Sequence, residues 1–187
     1  MRANRVVLRC PELTLKGRNR GLFERQLVRN VTHRLAHHGL KWTVRLAHGR
    51  LYVNVGAGSP GTVAEVVQSL CESAGVESVS PTIWLRSART RQETSSFDRA
   101  LIEKTVVELA EERFIEGGTF AVRVNRVDKR FAMKSIEMER WLGQAVRDGT
   151  RWDHVDLSSP SCLISVDIYG DGMYFQAGKL RGVGGLP

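Results

Sequence analysis

Arg123, Arg126, Lys129, Arg130 and Lys134 crowd one short stretch, and Asp128 is the single acid among them. Such a set holds no nucleophile and no paired general acid and base. Its chemistry is anion binding. Phe120, Val122 and Val124 alternate with Ala121, Arg123 and Asn125 just before it, which predicts a strand with one buried face. Ser135 is placed to cap a following helix. Main-chain N–H groups and the helix dipole at such a mouth favour a negative charge, so a polyphosphate or a nucleic-acid backbone would suit it. The plainer reading is a solvated basic loop. Two other stretches offer the same chemistry. Lys16, Arg18 and Arg20 surround Gly17 and Gly21, and Lys179 and Arg181 sit in a tail with four glycines. That tail, residues 178–187, is expected to be a flexible phosphate-contacting loop.

Other chemistries find weaker support. Gly56-Ala-Gly-Ser-Pro-Gly61 matches a dinucleotide turn, but it follows a hairpin, and Pro60 removes one N–H donor. It reads as a helix-entry turn. His33 and His37 have metal spacing without a carboxylate or Cys to complete a set. Asp153, His154 and Asp156 read as a polar turn. Cys10, Cys71 and Cys162 form no Cys-x-x-Cys pair and sit in apolar surroundings, as buried small hydrophobes do. No catalytic residue, cofactor site or metal site is assigned.

The chain has 187 residues and a net charge of +8, enough for one large or two small domains. Residues 1–50 hold twelve Lys and Arg against two acids, a net of +10, and the rest of the chain nets −2. That asymmetry points to a polyanionic partner. No run approaches the ~18 apolar residues of a membrane span, so a cytoplasmic location and no membrane partner are expected.

The positioning elements follow in order. A strand over 6–8 precedes a helix whose apolar stripe is Phe23, Leu27, Val31 and Leu35, widened by Leu22 and Val28. Arg25 and Arg29 lie off that stripe. Strands over 41–47 and 51–55 make a hairpin, a helix spans 62–74, and a strand spans 76–85. The order β-α-β-β-α-β is the split βαβ, ferredoxin-like plan. After a polar link over 87–96 comes a helix over 97–115, carrying Leu101, Thr105 and Leu109 inside and an acidic face outside. The 120–135 segment, a helix and a C-terminal hairpin complete the chain.

The chain resembles the N-terminal half of the tRNA 4-thiouridine synthetase (tRNA sulfurtransferase) family. Glu12-Leu-Thr-Leu-Lys-Gly-Arg-Asn-Arg20 with Phe23 and Glu24, Gly49-Arg-Leu-Tyr-Val53, and Phe120-x-Val-x-x-x-Arg126-x-x-Lys129-x-Phe131 carry the likeness. Val155-Asp-Leu-x-x-Pro160 and Gly182-Val-Gly-Gly-Leu-Pro187 extend it. Cys10-Pro11 departs from the family's usual Tyr-Gly. The resemblance implies an α+β chain: a ferredoxin-like domain over 1–75, then a THUMP domain over 76–187. Together these would grip tRNA near its 3′ acceptor end and serve uridine thiolation. In that family an ATP-pyrophosphatase domain adenylates the uridine. These residues hold no Ser-Gly-Gly-x-Asp-Ser ATP loop, so that chemistry is not carried over to them. The expected RNA contacts are Lys16, Arg18, Arg20, Arg123, Arg126, Lys129, Arg130, Lys134, Lys179 and Arg181. A competing reading is a non-catalytic interaction subunit acting with a separate ATP-pyrophosphatase enzyme.

Overall fold

Arg5-Val-Val-Leu-Arg9 forms the first strand, β1, and its alternation decides two faces. Val6 and Leu8 turn toward helices, while Arg5, Val7 and Arg9 turn the other way. A computed structural model describes residues 3–11, 19–37, 42–47, 49–54, 63–86 and 98–185. Within these, the chain forms two compact units, Ala3–Thr82 with Lys179–Pro187, and Ile83–Gly178.

In the first unit β1 is followed by α1 (Arg20–His37), β2 (Thr43–Ala47), β3 (Arg50–Asn54), α2 (Val63–Cys71) and β4 (Ser78–Arg86). The sheet order is β2-β3-β1-β4, every pair antiparallel, which is the ferredoxin-like arrangement. Gly49, at φ +70°, makes the β2–β3 turn, which needs a left-handed residue. Leu27, Val31 and Leu35 of α1 and Val66 and Leu70 of α2 bury against Val6, Leu8, Leu51, Val53 and Val79. Each such side chain contributes about 1.5–3 kcal/mol when fully buried. Arg34 ties α1 to the end of α2 through the Glu72 carboxylate at 2.9 Å.

The second unit places α3 (Arg99–Glu111), β5 (Phe120–Arg126), α4 (Ser135–Gly149), β6 (Cys162–Tyr169) and β7 (Gly172–Ala177) around the end of β4. Strands β5 and β6 are parallel and joined by α4, while β6, β7 and β4 run antiparallel in that order. Phe120, Val122 and Val124 are buried with Ile164, Val166, Ile168 and Phe175 beneath α3 and α4. Trp152 fills this core and donates its indole N–H to the Ala110 carbonyl at 2.8 Å.

Several local expectations need correction. Leu22 is 60% exposed, so the α1 stripe is narrower than the apolar spacing implies. In α3 the inward row is Ile102, Val106 and Leu109 with Thr105, and Leu101 faces out. The cap of α3 is Asp98, whose carboxylate accepts from the Leu101 amide at 3.2 Å. Ser135 is the first residue of α4 rather than its cap. The capping position falls to Lys134, whose N–H donates to the Glu137 carboxylate at 3.0 Å.

The tail is not a loose loop. Leu180–Arg181 forms a short strand, β8, antiparallel to β4, with Ser78 opposite Arg181 and Val79 opposite Leu180. Gly182 N–H donates to Glu77 O at 2.8 Å, Val183 to Cys71 O at 3.0 Å and Gly184 to Val76 O at 2.8 Å. A Cβ on Gly182 would stand 2.2 Å from Val76 O. Glycine is there so that two main chains can meet.

Candidate nucleic-acid interface

Strand β5 is the edge of its sheet, and α4 manages that edge. The Val124 N–H donates to the Glu139 carboxylate at 2.9 Å, and Glu139 also approaches Arg123 at 4.0 Å. Arg123 in turn donates to Leu157 O at 2.5 Å. The side chain is therefore held flat along the sheet end, with about two fifths of its surface still open.

Beyond β5 the loop is folded on itself. The Val127 and Asp128 amides both donate to Ile168 O, at 3.0 and 3.1 Å. Arg126 reaches across the loop to Phe131 O at 2.8 Å and Met133 O at 3.3 Å. Asp128 grips Arg130 through two oxygens, at 2.9 and 2.7 Å, and accepts its N–H at 3.1 Å. That fork raises the already high pKa of Arg130 and cancels its charge locally. Gly170 of the β6–β7 turn packs on the same fork, since a Cβ there would lie 3.1 Å from Asp128.

The expected cations thus separate by role. Arg126 shapes the loop, Arg130 is neutralised, Lys129 is exposed within the loop, and Lys134 is exposed at the start of α4. In the first unit, Arg20 opens α1 and pairs with Glu24 at 2.7 Å. Lys179 and Arg181 are exposed, and they line a cleft of about 370 Å³ with Glu77, Ser78 and Gly182–Gly184. Lys16 and Arg18 lie outside the described residues, as does the Gly56–Gly61 turn.

The remaining candidates are accounted for by structure. Asp156 accepts from the Ser158 and Ser159 amides at 2.8 and 3.0 Å, and these two bonds lower its pKa. Its neighbours Asp153 and His154 are exposed, 3.6 Å apart. Among the described residues, no group of three or more His, Cys, Asp or Glu is placed to hold a metal ion. Cys10 and Cys162 are buried and Cys71 half-buried, all with free thiols. Among these residues no helix is long and apolar enough to cross a membrane.

Sequence reasoning missed two features. Asp167 on β6 is buried, accepting from the side-chain amides of Asn125 at 3.1 Å and Gln176 at 3.1 Å. It anchors a polar row on the sheet face opposite α3 and α4. The alternation of Ile164, Val166 and Ile168 already puts Asp167 on that face. The second feature is a line of arginines across the first sheet: Arg50 opposite Arg9, and Arg9 opposite Ser78, which is in turn opposite Arg181.

Comparison with known proteins agrees with this geometry. The ThiI ferredoxin-like domain model matches residues 5–80, and the THUMP domain model matches residues 99–176. A probable tRNA sulfurtransferase of Alkaliphilus oremlandii is 35% identical over 187 residues, covering 98% of this chain and 44% of that protein. One from Natranaerobius thermophilus is 30% identical over 189 residues, covering 98% and 43%. The chain therefore spans less than half the length of these relatives. The crystal structure of PH1313 from Pyrococcus horikoshii Ot3 superposes with a TM-score of 0.77 at 26% identity, covering 98% of this chain and 57% of that one. A 4-thiouridine synthetase–RNA complex with bound ATP shares the fold, with a TM-score of 0.75 at 23% identity, covering 99% and 43%. With both domain models matched in order along an α+β chain, the protein belongs to the tRNA sulfurtransferase family, corresponding to its N-terminal part.

Proposed function

We propose that this chain binds tRNA at the acceptor stem and 3′ end, as the recognition part of a uridine-thiolating system. The observation that carries the reading is the β5–α4 loop. Its own carbonyls hold Arg126, and Ile168 O anchors its amides, so a rigid backbone presents Lys129 in the loop and Lys134 at a helix N-terminus. Rigid presentation lowers the entropy lost when a phosphate is gripped. Arg20, Arg123, Lys179 and Arg181 add positive charge, Arg130 would join them only when released from Asp128, and Lys16 and Arg18 belong to the same proposal. Phosphate contacts position an RNA without reading its bases, so selectivity would come from the stem's shape and unpaired end.

The likeness to a 4-thiouridine synthetase solved with RNA and ATP supports the substrate class. An adenylating ATP-pyrophosphatase, as a domain or a separate subunit, is the partner this reading requires, in the cytoplasm where tRNA is modified. The functional boundary is part of the proposal: residues 1–75 as the ferredoxin-like domain and 76–187 as the THUMP part. That division follows sequence blocks, whereas compactness parts the chain within β4 and groups Lys179–Pro187 with the first unit. The test is filter binding of intact tRNA against tRNA stripped of its 3′ end. Tighter binding of the intact molecule is expected, and equal binding would remove the 3′-end claim.

A further inference from the structure

Helix α1 turns Leu27, Val31 and Leu35 into the core. At about 3.6 residues per turn, Arg25, Arg29 and His33 fall on the opposite side, and all three are exposed. They recur every four residues, one above the next, along about 12 Å of helix axis. Glu24 is the one acid in the helix, and Arg20 holds its carboxylate at 2.7 Å. Arg29 donates to the Gln26 side-chain carbonyl at 2.7 Å, an uncharged partner that leaves the guanidinium charge in place. Among the described residues neither Arg25 nor Arg29 pairs with a carboxylate. Like charges one turn apart on a helix repel, so this row gains from an anion outside it.

Beside the row lies an open groove of about 520 Å³ between α1 and β2, the edge strand of the sheet. Arg25 and Arg29 line it with Gly21, Val28, Leu46 and the paired Glu24. Val28 and Leu46 are half-buried and pack on the first unit's core, which gives the groove an apolar floor. The Arg25 guanidinium lies back over Gly21, where a Cβ would stand 3.5 Å from its Nη1. Two guanidiniums beside a shallow apolar trough match the alternation of phosphate and ribose along one nucleic-acid strand. Leu22 is the one large apolar side chain exposed on α1, too little for the apolar centre of a protein interface.

We propose that the outer face of α1 is a second RNA-backbone surface. Arg25 and Arg29 each hold a phosphate of one strand, and the α1–β2 groove receives the ribose between them. His33 adds a donor one turn further on. The row's length equals the rise of three to four nucleotides, at about 3.4 Å each. This surface rests on the tRNA-binding reading and extends it to a helix face outside the basic loops and the tail.

The test compares the full chain with Arg25→Gln/Arg29→Gln by tRNA filter binding across a salt series. Each lost phosphate contact lowers the slope of log K against log salt by about 0.9, and affinity at 0.1 M salt by about 8-fold. The double variant is expected to lose one to two such contacts. Arg140→Gln/Arg147→Gln removes the same charge from two exposed positions on α4 and should leave the slope near the parent's. An equal loss there would assign the effect to net charge and overturn the α1 surface. Gly21→Asp separates binding from folding. It sets a carboxylate one turn from Arg25, in the first turn of α1, where an acid steadies the helix. Its melting temperature should rise while tRNA binding loses about one contact, a pairing that misfolding does not produce. If the parent binds tRNA and both α1 variants match it in slope and affinity, this inference falls while the RNA reading stands. If the parent does not bind tRNA, both fall. If the α1 variants keep tRNA binding but lose binding to poly-glutamate, the face docks an acidic protein segment, and its RNA assignment is overturned.

Discussion

The Val124 amide and the Glu139 carboxylate, 15 residues apart in sequence, meet at 2.9 Å where the second unit's sheet ends. An edge strand's unpaired N–H invites a foreign strand, and here a helix side chain occupies it. Glu139→Ala should remove the acceptor and strand a half-buried donor, at about 1–3 kcal/mol. Glu139→Gln keeps an oxygen in place and should cost less than half as much. Urea denaturation of both variants checks the ordering, and equal losses would assign the effect to charge instead.

Asp128 holds Arg130 in a two-oxygen fork while Lys129 between them remains open. Asp128→Asn keeps an acceptor for the Arg130 amide and removes the neutralising charge. The freed guanidinium should add about one phosphate contact, steepening the salt slope by ~0.9 and tightening tRNA binding several-fold. A slope equal to the parent's would place Arg130 outside the interface.

Gly182 lies where its own strand meets residues 71–79. Gly182→Ala forces a Cβ to within 2.2 Å of Val76 O, so β8 must shift or detach. Overpacking of this kind costs about 1–3 kcal/mol. Hydrogen exchange should show faster amides at Val183 and Gly184, with little change in β5 or β6.

Burial pushes the Cys10 thiol up to about 12, with Glu77 nearby adding to the rise. The thiol is an acid whose neutral form the fold prefers. Stability from this preference is complete below the unfolded value near 9 and is lost as pH climbs from there toward 12. A parent protein should lose up to roughly 1.4 kcal/mol per pH unit in that window relative to Cys10→Ala. Cys10 should also resist iodoacetamide at pH 8.5 in the native state, read by mass spectrometry of the cysteine peptides.

How much of this is legible before folding depends on how local the cause is. Phe120, Val122 and Val124 declare β5 because period two is written in adjacent residues, and Leu27, Val31 and Leu35 declare α1 likewise. Leu22 and Leu101 mislead because an apolar residue one step off a helical stripe looks like its flank until packing decides. The tail's glycines suggest freedom, yet Gly182 is required by a backbone it can meet only in the folded chain. Arg9, Arg50 and Arg181 become neighbours only through strand register. Nor can composition tell Arg130, spent on Asp128, from Lys129, which is not.

β8 also has a consequence in time. Residues 83–178 lie between Ser78 and its partner Arg181, so the first unit's sheet lacks that strand until the second unit has been made. At about 5–20 residues per second, a ribosome takes several seconds to make that stretch. Through that interval β4 carries an unpaired rim at Ser78 and Val79, open to chaperones or to another nascent chain. Synthesis of the last strand closes it.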